Sequence, residues 1–205
     1  MGNIEKFEAI AGVYDTDERA AVAKIIADKI RQTVGGADGI AGAKTAIDYG
    51  CGTGLVGLNL LDIFKTVLFA DAAPNMVNQV QGKIQELQAE NAKTICCDIM
   101  KNRPPDFRAD CIILAQVLLH EKDTAALLSR LSDALNPGGH LIIVDFDKNP
   151  SIESEEIHCG FDQNELAARL KQTAFASVKS ETFYRGDKLL MNQSASLFIM
   201  DAVKA

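Results

Sequence analysis

The feature that most constrains this chain is a short apolar run that ends in a carboxylate and then three alternating glycines, D-x-G-x-G-x-G at residues 48–54. Because glycine has no Cβ, this spacing lets the backbone turn sharply and approach a ligand before a helix begins at about Gly54. The loop also fits the dinucleotide fingerprint G-x-G-x-x-G at residues 52–57, and Asp71 follows at about 20 residues, where a ribose-binding acid belongs. The sequence therefore predicts a nucleotide-like cofactor of one of two classes.

Asp48 helps to separate these two cofactor classes. In a dinucleotide site the anionic pyrophosphate lies on the helix N-terminus, where a nearby buried carboxylate would repel it. S-adenosylmethionine carries a sulfonium and an amino group and no phosphate, so the same carboxylate would attract it. Its ribose hydroxyls would still need an acid such as Asp71. The charge of Asp48 therefore favours S-adenosylmethionine, with a nicotinamide cofactor as the alternative.

The glycine loop resembles motif I of the class I S-adenosylmethionine-dependent methyltransferases. Other segments resemble further motifs of that family in the family's own order, so the resemblance spans nearly the whole chain. These segments are residues 7–15, 71–76, 97–99 and the L-x-P-G-G turn at 135–141. The first of them resembles the opening of the small-molecule branch related to ubiquinone and menaquinone methyltransferases.

The resemblance implies a residue for each part of the cofactor. Asp71 would take the ribose hydroxyls, Met76 would pack near the adenine, and Asp98 would accept a hydrogen bond from the adenine amino group. The opening segment of the branch folds over the cofactor, which makes Tyr14 a candidate contact. Ala73 stands where the family often has Ser, so a helix cap is absent. The complete candidate cofactor set is Tyr14, Asp48, Gly50, Cys51, Gly52, Gly54, Asp71, Ala72, Met76, Asp98, Ile99 and Gln116.

From residue 45 onward, short apolar runs alternate with helical patterns, which predicts a parallel sheet with helices on both faces. Strands are predicted at 46–49, 66–70, 93–97, 111–115, 141–145, 177–184 and 196–203, and helices at 54–64, 75–89, 124–135 and 162–172. The last two strands should form an antiparallel hairpin with a longer loop, because no helix separates them. The predicted fold is α/β, a Rossmann-like three-layer sandwich. Its seven-stranded, mostly parallel sheet has one antiparallel strand and the order 3-2-1-4-5-7-6 that the resemblance implies.

Length and patterning predict a single domain, residues 1–205, with an N-terminal helical cap at 1–43 and the core at 44–205. In the cap, Val22, Ile26 and Ile30 recur at helical spacing and should pack on the core. No signal-type segment and no apolar run of membrane length is present, which predicts a cytoplasmic protein without a membrane partner.

The net charge and the spacing of the cysteines limit which binding partners are expected. The formal net charge is −7 and the basic residues are scattered, which disfavours nucleic acid. Five cysteines without a C-x-x-C spacing predict reduced thiols and no metal site. The expected partner is a small-molecule methyl acceptor, and the protein is expected to be a monomer or a homodimer.

Methyl transfer from a sulfonium is an in-line displacement whose barrier falls mainly through positioning, so no catalytic triad is required. A general base is needed only when the acceptor must lose a proton. The candidate catalytic residues are His120, after the fourth strand, and His158, in the segment after the fifth strand that should cover the substrate site. An unperturbed imidazole would titrate near ~6.5.

The predicted function is methyl transfer from S-adenosylmethionine to an unidentified small molecule, with S-adenosylhomocysteine as product. Two alternatives belong to other classes: an NAD-dependent oxidoreductase of Rossmann type, and a catalytically silent S-adenosylmethionine-binding regulatory protein. A thiol-directed mechanism on Cys51, Cys97 and Cys159 is a further alternative.

Overall fold

The computed structural model describes residues 3–35, 45–101 and 108–205, and a seven-stranded sheet lies at its centre. The strands are β1 (Thr45–Tyr49), β2 (Thr66–Asp71), β3 (Ala92–Cys96), β4 (Ala109–Ala115), β5 (Leu135–Phe146), β6 (Phe175–Leu190) and β7 (Gln193–Lys204). They lie in the order β3-β2-β1-β4-β5-β7-β6. β7 runs antiparallel to both of its neighbours, whereas the other pairings are parallel. The predicted fold class and strand order are confirmed.

Helices cover both faces of the sheet. They are α1 (Asn3–Ile10), α2 (Asp17–Val34), α3 (Pro74–Glu86), α4 (Thr124–Ala134) and α5 (Gln163–Lys171). Neighbouring residues of a strand point to opposite faces, so Ile112 and Ile113 of β4 enter different clusters. Ile113 is buried in one cluster with Ile30 of α2 and Val80 of α3, and Ile112 in another with Leu131 of α4. The sheet is therefore the middle of three layers.

The predicted helix at residues 54–64 is wrong, because only the short 3-10 helix Gly57–Leu60 forms there. An α-helix would join the amide of Gly57 to the carbonyl of Thr53. Instead, that amide donates to Oδ2 of Asp48 at 3.1 Å, and that carbonyl accepts from Nζ of Lys83 at 2.6 Å. Tertiary contacts from β1 and α3 thus replace the helical hydrogen bond.

Among the other boundaries that differ from the prediction, two have a cause that the backbone shows. Helix α3 ends at Glu86 because Gln88 adopts a φ of +51°, which an α-helix does not allow. The predicted longer loop between the last two strands is wrong, because Leu190 pairs with Gln193 and leaves a two-residue turn. Met191 and Asn192 of that turn have φ values of +48° and +60°, as a type I′ hairpin turn requires.

The four strands β1, β2, β3 and β4 run parallel, so their carboxyl ends lie at one edge of the sheet. Rossmann-like proteins bind their ligands at this edge. The predicted boundary between residues 43 and 44 lies outside the described residues. Within the described ranges, no helix combines the length and apolar character needed to cross a membrane.

Candidate active site

The glycine loop turns back over the carboxyl end of β1. Gly50, Gly52 and Gly54 have φ values of +69°, +53° and +82°, a left-handed region that favours glycine. The amide of Gly50 donates to the carbonyl of Ala70 in β2 at 2.7 Å. A Cβ placed on Gly52 would meet Tyr14 Cε1 at 3.9 Å and no nearer heavy atom among the described residues. The Tyr14 ring therefore lies at ordinary contact distance from that position, and apart from it and the chain neighbours of Gly52 no described heavy atom lies within 4 Å.

Asp48 lies beneath this loop. Its side chain is 2% exposed, and its Oδ2 accepts a hydrogen bond from the amide of Gly57. Burial is the main cause that raises the pKa of this carboxyl to about 7; the hydrogen bond from Gly57 opposes the shift, and the charge of Asp71 adds a smaller contribution to it. Asp48 supports the loop from below, and direct contact between Asp48 and a cofactor stays a prediction.

Asp71 ends β2 beside the loop. Its Oδ2 accepts from the amide of Gly52 at 2.9 Å, and its Oδ1 accepts from the amide of Ala73 at 2.8 Å. Burial raises the pKa of this carboxyl despite those hydrogen bonds. A carboxylate has about four acceptor positions, so both oxygens keep capacity for ribose hydroxyls.

Asp98 and Ile99 follow β3 on the same edge of the sheet. Oδ1 of Asp98 accepts from the amide of Met100 at 3.0 Å, and its Oδ2 lies 3.3 Å from Nζ of Lys101. Ile99 is fully buried, and its amide donates to Oη of Tyr49 at 3.1 Å. The two residues are thus held rigidly at the end of the strand next to Asp71.

The other candidate cofactor residues lie around this acidic edge. Met76 is fully buried in the first turn of α3, and the carbonyl of Ala72 lies 3.8 Å from Sγ of Cys96. Gln116 follows β4 with a φ of +58°, an uncommon conformation for a residue other than glycine. Its amide donates to the carbonyl of Val144 at 2.7 Å, which ties the end of β4 to β5.

The segment after α1 is pinned to the glycine loop. The hydroxyl of Thr53 donates to Asp15, whose Oδ2 lies 2.6 Å from Nζ of Lys83. The guanidinium of Arg19 lies 4.3 Å from the ring centroid of Tyr14 and donates to the Tyr14 carbonyl at 2.6 Å. Burial raises the pKa of the Tyr14 hydroxyl. The ring of Tyr14 is therefore held beside Gly52, and its contact with a cofactor stays a prediction.

Asp145 organises the opposite side of the edge. This buried residue of β5 accepts hydrogen bonds from the amides of Leu119 at 3.2 Å and Phe146 at 2.8 Å. Leu119 belongs to the 3-10 helix Leu118–His120, so Asp145 holds the turn that carries His120. Burial raises the pKa of Asp145 to about 7.

His120 lies against α1. Its ring packs edge-on against Phe7, with 5.0 Å between ring centroids. Burial, assisted by the nearby charge of Lys6, lowers the pKa of His120 to about 4. The expectation of an ordinary imidazole at this position is therefore wrong, because α1 covers the ring.

His158 is joined to the same turn. Its amide donates to the carbonyl of Leu119 and its Nε2 donates to the carbonyl of Glu121, both at 2.8 Å. These carbonyls flank His120 in the chain, so the two candidate histidines belong to one local cluster. With Nε2 donating, Nδ1 is the acceptor nitrogen of a neutral His158 ring.

A pocket of about 180 Å³ adjoins His158 between the first turns of α4 and α5. Side chains of both charge signs line the pocket: Lys148 and Arg169 are cationic, and Asp162 and Glu165 are anionic. The pocket therefore presents charged side chains of both signs beside the apolar side chains of Phe161 and Leu166.

Cys51 and Cys97 are not activated as nucleophiles. Burial raises the pKa of Cys51 well above its ordinary value and the pKa of Cys97 to about 11, so both are thiols at neutral pH. In the part of the chain that the structure describes, no three His, Cys, Asp or Glu side chains are grouped as a metal site requires. Nothing in this arrangement supports the thiol-directed alternative.

Sequence reasoning missed three contacts that shape the site. These are the pairing of Asp15 with Thr53 and Lys83, the packing of Phe7 on His120, and a hydrogen bond between Glu8 and the start of α3. Only the last had a signal in the sequence, namely the absent cap at Ala73.

Comparison with known proteins agrees with this geometry. Residues 46–139 match the family model of a methyltransferase domain. The chain is 26% identical over 109 residues to a ubiquinone biosynthesis O-methyltransferase of Marinobacter nauticus, covering 52% of this chain and 46% of that protein. It is 30% identical over 107 residues to N-terminal Xaa-Pro-Lys N-methyltransferase 1-B of Xenopus laevis, covering 51% and 48%. The matched segment spans about half the length of these relatives.

A solved structure covers the chain more fully. N-methyltransferase NodS from Bradyrhizobium japonicum WM9, in complex with S-adenosyl-L-homocysteine, has a TM-score of 0.72 at 15% identity and covers 99% of both chains. This likeness shows the fold. The fold and the acid-flanked glycine loop define a Rossmann-like protein built for a nucleoside cofactor without phosphates. The methyltransferase-domain match at residues 46–139, the curated relatives and the solved neighbour together support a class I S-adenosylmethionine-dependent methyltransferase, whose cofactor the residues of this edge fit.

Proposed function

We propose that this protein transfers a methyl group from S-adenosylmethionine to a small polar molecule. The observation that carries the proposal is the space beside Gly52, which is bounded by Asp71 and Tyr14. The cofactor, when bound, supplies an electrophilic methyl group on a sulfonium. The curated relatives are named for different acceptors, so the acceptor of this chain is argued from its own residues.

The cofactor contacts follow from the acidic edge. The carboxylate of Asp71 holds the ribose hydroxyls, and Met76 and Ile99 provide apolar walls for the adenine. Asp98 accepts a hydrogen bond from the adenine amino group, and Tyr14 closes the site. In their ionised forms, Asp48 and Asp71 give the loop a negative field that favours a cationic ligand over an anionic one, and burial, which raises the pKa of both carboxyls, weakens this field at neutral pH. The same field opposes the nicotinamide alternative, because a pyrophosphate would lie in it.

The acceptor binds next to His120 and His158, under α1 and the segment that follows β5. The mixed charges of the adjoining pocket support a polar acceptor, and the net charge of −7 disfavours a large polyanion. If the acceptor must lose a proton, Nδ1 of His158 is the better-placed base, because the low pKa of His120 makes it a weak one.

The test is a screen for transfer of labelled methyl from S-adenosylmethionine to the components of a metabolite extract. Transfer to a small polar compound, absent with Gly52→Val, supports the proposal. Transfer only to proteins or nucleic acids, or none at all, contradicts it. Thermal unfolding with S-adenosylhomocysteine and with NAD separates the alternatives, since a ligand at 100 times its Kd adds about 2.7 kcal/mol of stability. Stabilisation by S-adenosylhomocysteine without transfer would indicate the silent regulatory protein, and stabilisation by NAD alone the oxidoreductase.

A further inference from the structure

Helix α3 begins without a cap of its own. Its N-cap residue, Ala73, has the extended backbone usual for that position (φ −93°, ψ 112°), but its methyl group cannot accept a hydrogen bond. Pro74 at the first helical position has no amide N–H, and the first turn contains no acidic residue. The amide of Asn75 is therefore the first one in the helix that needs a partner.

Glu8 of α1 supplies this partner from outside the helix. Its Oε2 accepts from the amide of Asn75 at 2.9 Å, and its carbonyl accepts from Nδ2 of the same residue at 3.3 Å. Asn75 is the second helical residue, whose amide is one of the two that a Ser, Thr or Asp cap normally serves. The carboxylate of Glu8 also lies at the positive end of the helix dipole.

Apolar packing joins the same two elements. Ala11, Ala73 and Met76 are buried together, and Phe7, Ile10 and Tyr14 pack against them. Ala73 and Met76 flank the capped amide, and the amide of Ala73 donates to Asp71. The contact between α1 and α3 therefore lies directly beside the residues assigned to ribose and adenine.

We propose that Glu8 is a positioning residue of the cofactor site, which caps α3 from α1. The ribose and adenine side of the site then reaches its binding geometry when α1 is docked, and Ala73 creates this dependence because it leaves the cap position empty. The proposal needs only cofactor binding. The role of Glu8 can therefore be disproved while methyl transfer to a small molecule is confirmed. It can also be confirmed while methyl transfer to a small molecule is disproved.

The experiment compares full-length variants by calorimetric titration with S-adenosylhomocysteine, with folding checked by circular dichroism. Glu8→Ala should weaken binding about threefold to tenfold, the range expected for loss of a helix cap. Glu8→Gln keeps an acceptor oxygen and should stay within about twofold of the wild type. Glu90→Ala, which removes an exposed negative charge between α3 and β3, is the matched control and should bind like the wild type.

The decisive variant is Glu8→Ala combined with Ala73→Ser, which restores a cap within α3. Its affinity should return to within about twofold of Ala73→Ser alone. Hydrogen exchange of α1 should be the same in the double variant as in Glu8→Ala, because Ala73→Ser restores the cap of α3 and not the contact with Glu8. The proposal is overturned if Glu8→Ala binds like the wild type, if Glu8→Gln is as weak as Glu8→Ala, or if Ala73→Ser gives no recovery.

Discussion

The two sides of the sheet's carboxyl edge are built in different ways. At the ends of β1 and β2, backbone amides of the glycine loop meet Asp71, and Asp48 supports the loop from the strand that leads into it. At the ends of β4 and β5, Asp145 reaches across strands to hold the turn that carries His120, and His158 folds back onto that turn. Motifs at the ends of two strands thus supply the core of the cofactor side, to which the α1 region adds outer contacts, whereas the acceptor side consists of contacts between distant segments.

The largest expected effect tests whether the loop backbone makes the cofactor side. Gly52→Val forces a β-branched residue into a φ of +53° and places its side chain in the space bounded by Asp71 and Tyr14, so affinity for S-adenosylhomocysteine should fall at least ~30-fold. The matched control is Gly138→Val, which has a positive φ, +72°, and open space but lies at the start of β5. Calorimetry should show normal binding by this control, and equal losses in both variants would contradict the assignment of the loop.

The next effect concerns the carboxylate that faces the loop. Asp71→Ala should weaken S-adenosylhomocysteine binding by about 1.5–3 kcal/mol, the scale of hydrogen bonds to a charged group. Asp71→Asn keeps one acceptor oxygen and should lose less. Unchanged affinity in a folded Asp71→Ala protein, measured by calorimetry, would rule out its role at the ribose.

A third effect tests whether burial outweighs the hydrogen bonds that Asp145 accepts on the acceptor side, so that its pKa is raised. Its folded-state pKa of about 7 exceeds the unfolded value of ~3.9, so the folded state binds more protons between these values. The contribution of Asp145 to stability is therefore present at low pH and is lost as the pH rises toward 7. Asp145→Asn removes this titration, so its unfolding free energy relative to the wild type should increase by about 1–2 kcal/mol between pH 5.5 and 8.

Urea unfolding of both proteins at the two pH values measures this difference. Comparing the wild type with Asp145→Asn at the same pH cancels the contributions of other titrating groups to the unfolding free energy. One of these groups is His120, whose lowered pKa has the opposite effect on stability. A difference that stays constant with pH would show that Asp145 is ionised with an ordinary pKa.

The smallest effect tests whether α1 covers the acceptor side. Phe7→Ala removes the ring that packs on His120, so water should reach the imidazole and its pKa should rise from about 4 toward 6.5. Lys6→Gln should raise the pKa less, because the charge of Lys6 is the smaller cause. NMR titration of the His120 ring gives both values. A wild-type ring that already titrates near 6.5 would show that α1 leaves it exposed.

Sequence patterns located all seven strands because most of them contain a short apolar run, but β5, β6 and β7 are longer than predicted; the strand order followed from the family resemblance. They failed at residues 54–64, where Asp48 and Lys83 take the hydrogen bonds that a helix would use. They also failed at the last hairpin, since Met191 and Asn192 are not the usual residues for a turn with two positive φ values. In both places the conformation depends on partners that local patterning does not reveal.

The sequence by itself determined the class of cofactor, because a glycine loop and the acids after successive strands form a local code that the parallel sheet gathers at one edge. It also placed His120 and His158 after the correct strands. Only the tertiary structure decided the chemistry of these histidines and the cap of α3, because both depend on which distant side chains cover them. Burial under Phe7 makes His120 a weak base, and Glu8 supplies to α3 what Ala73 lacks.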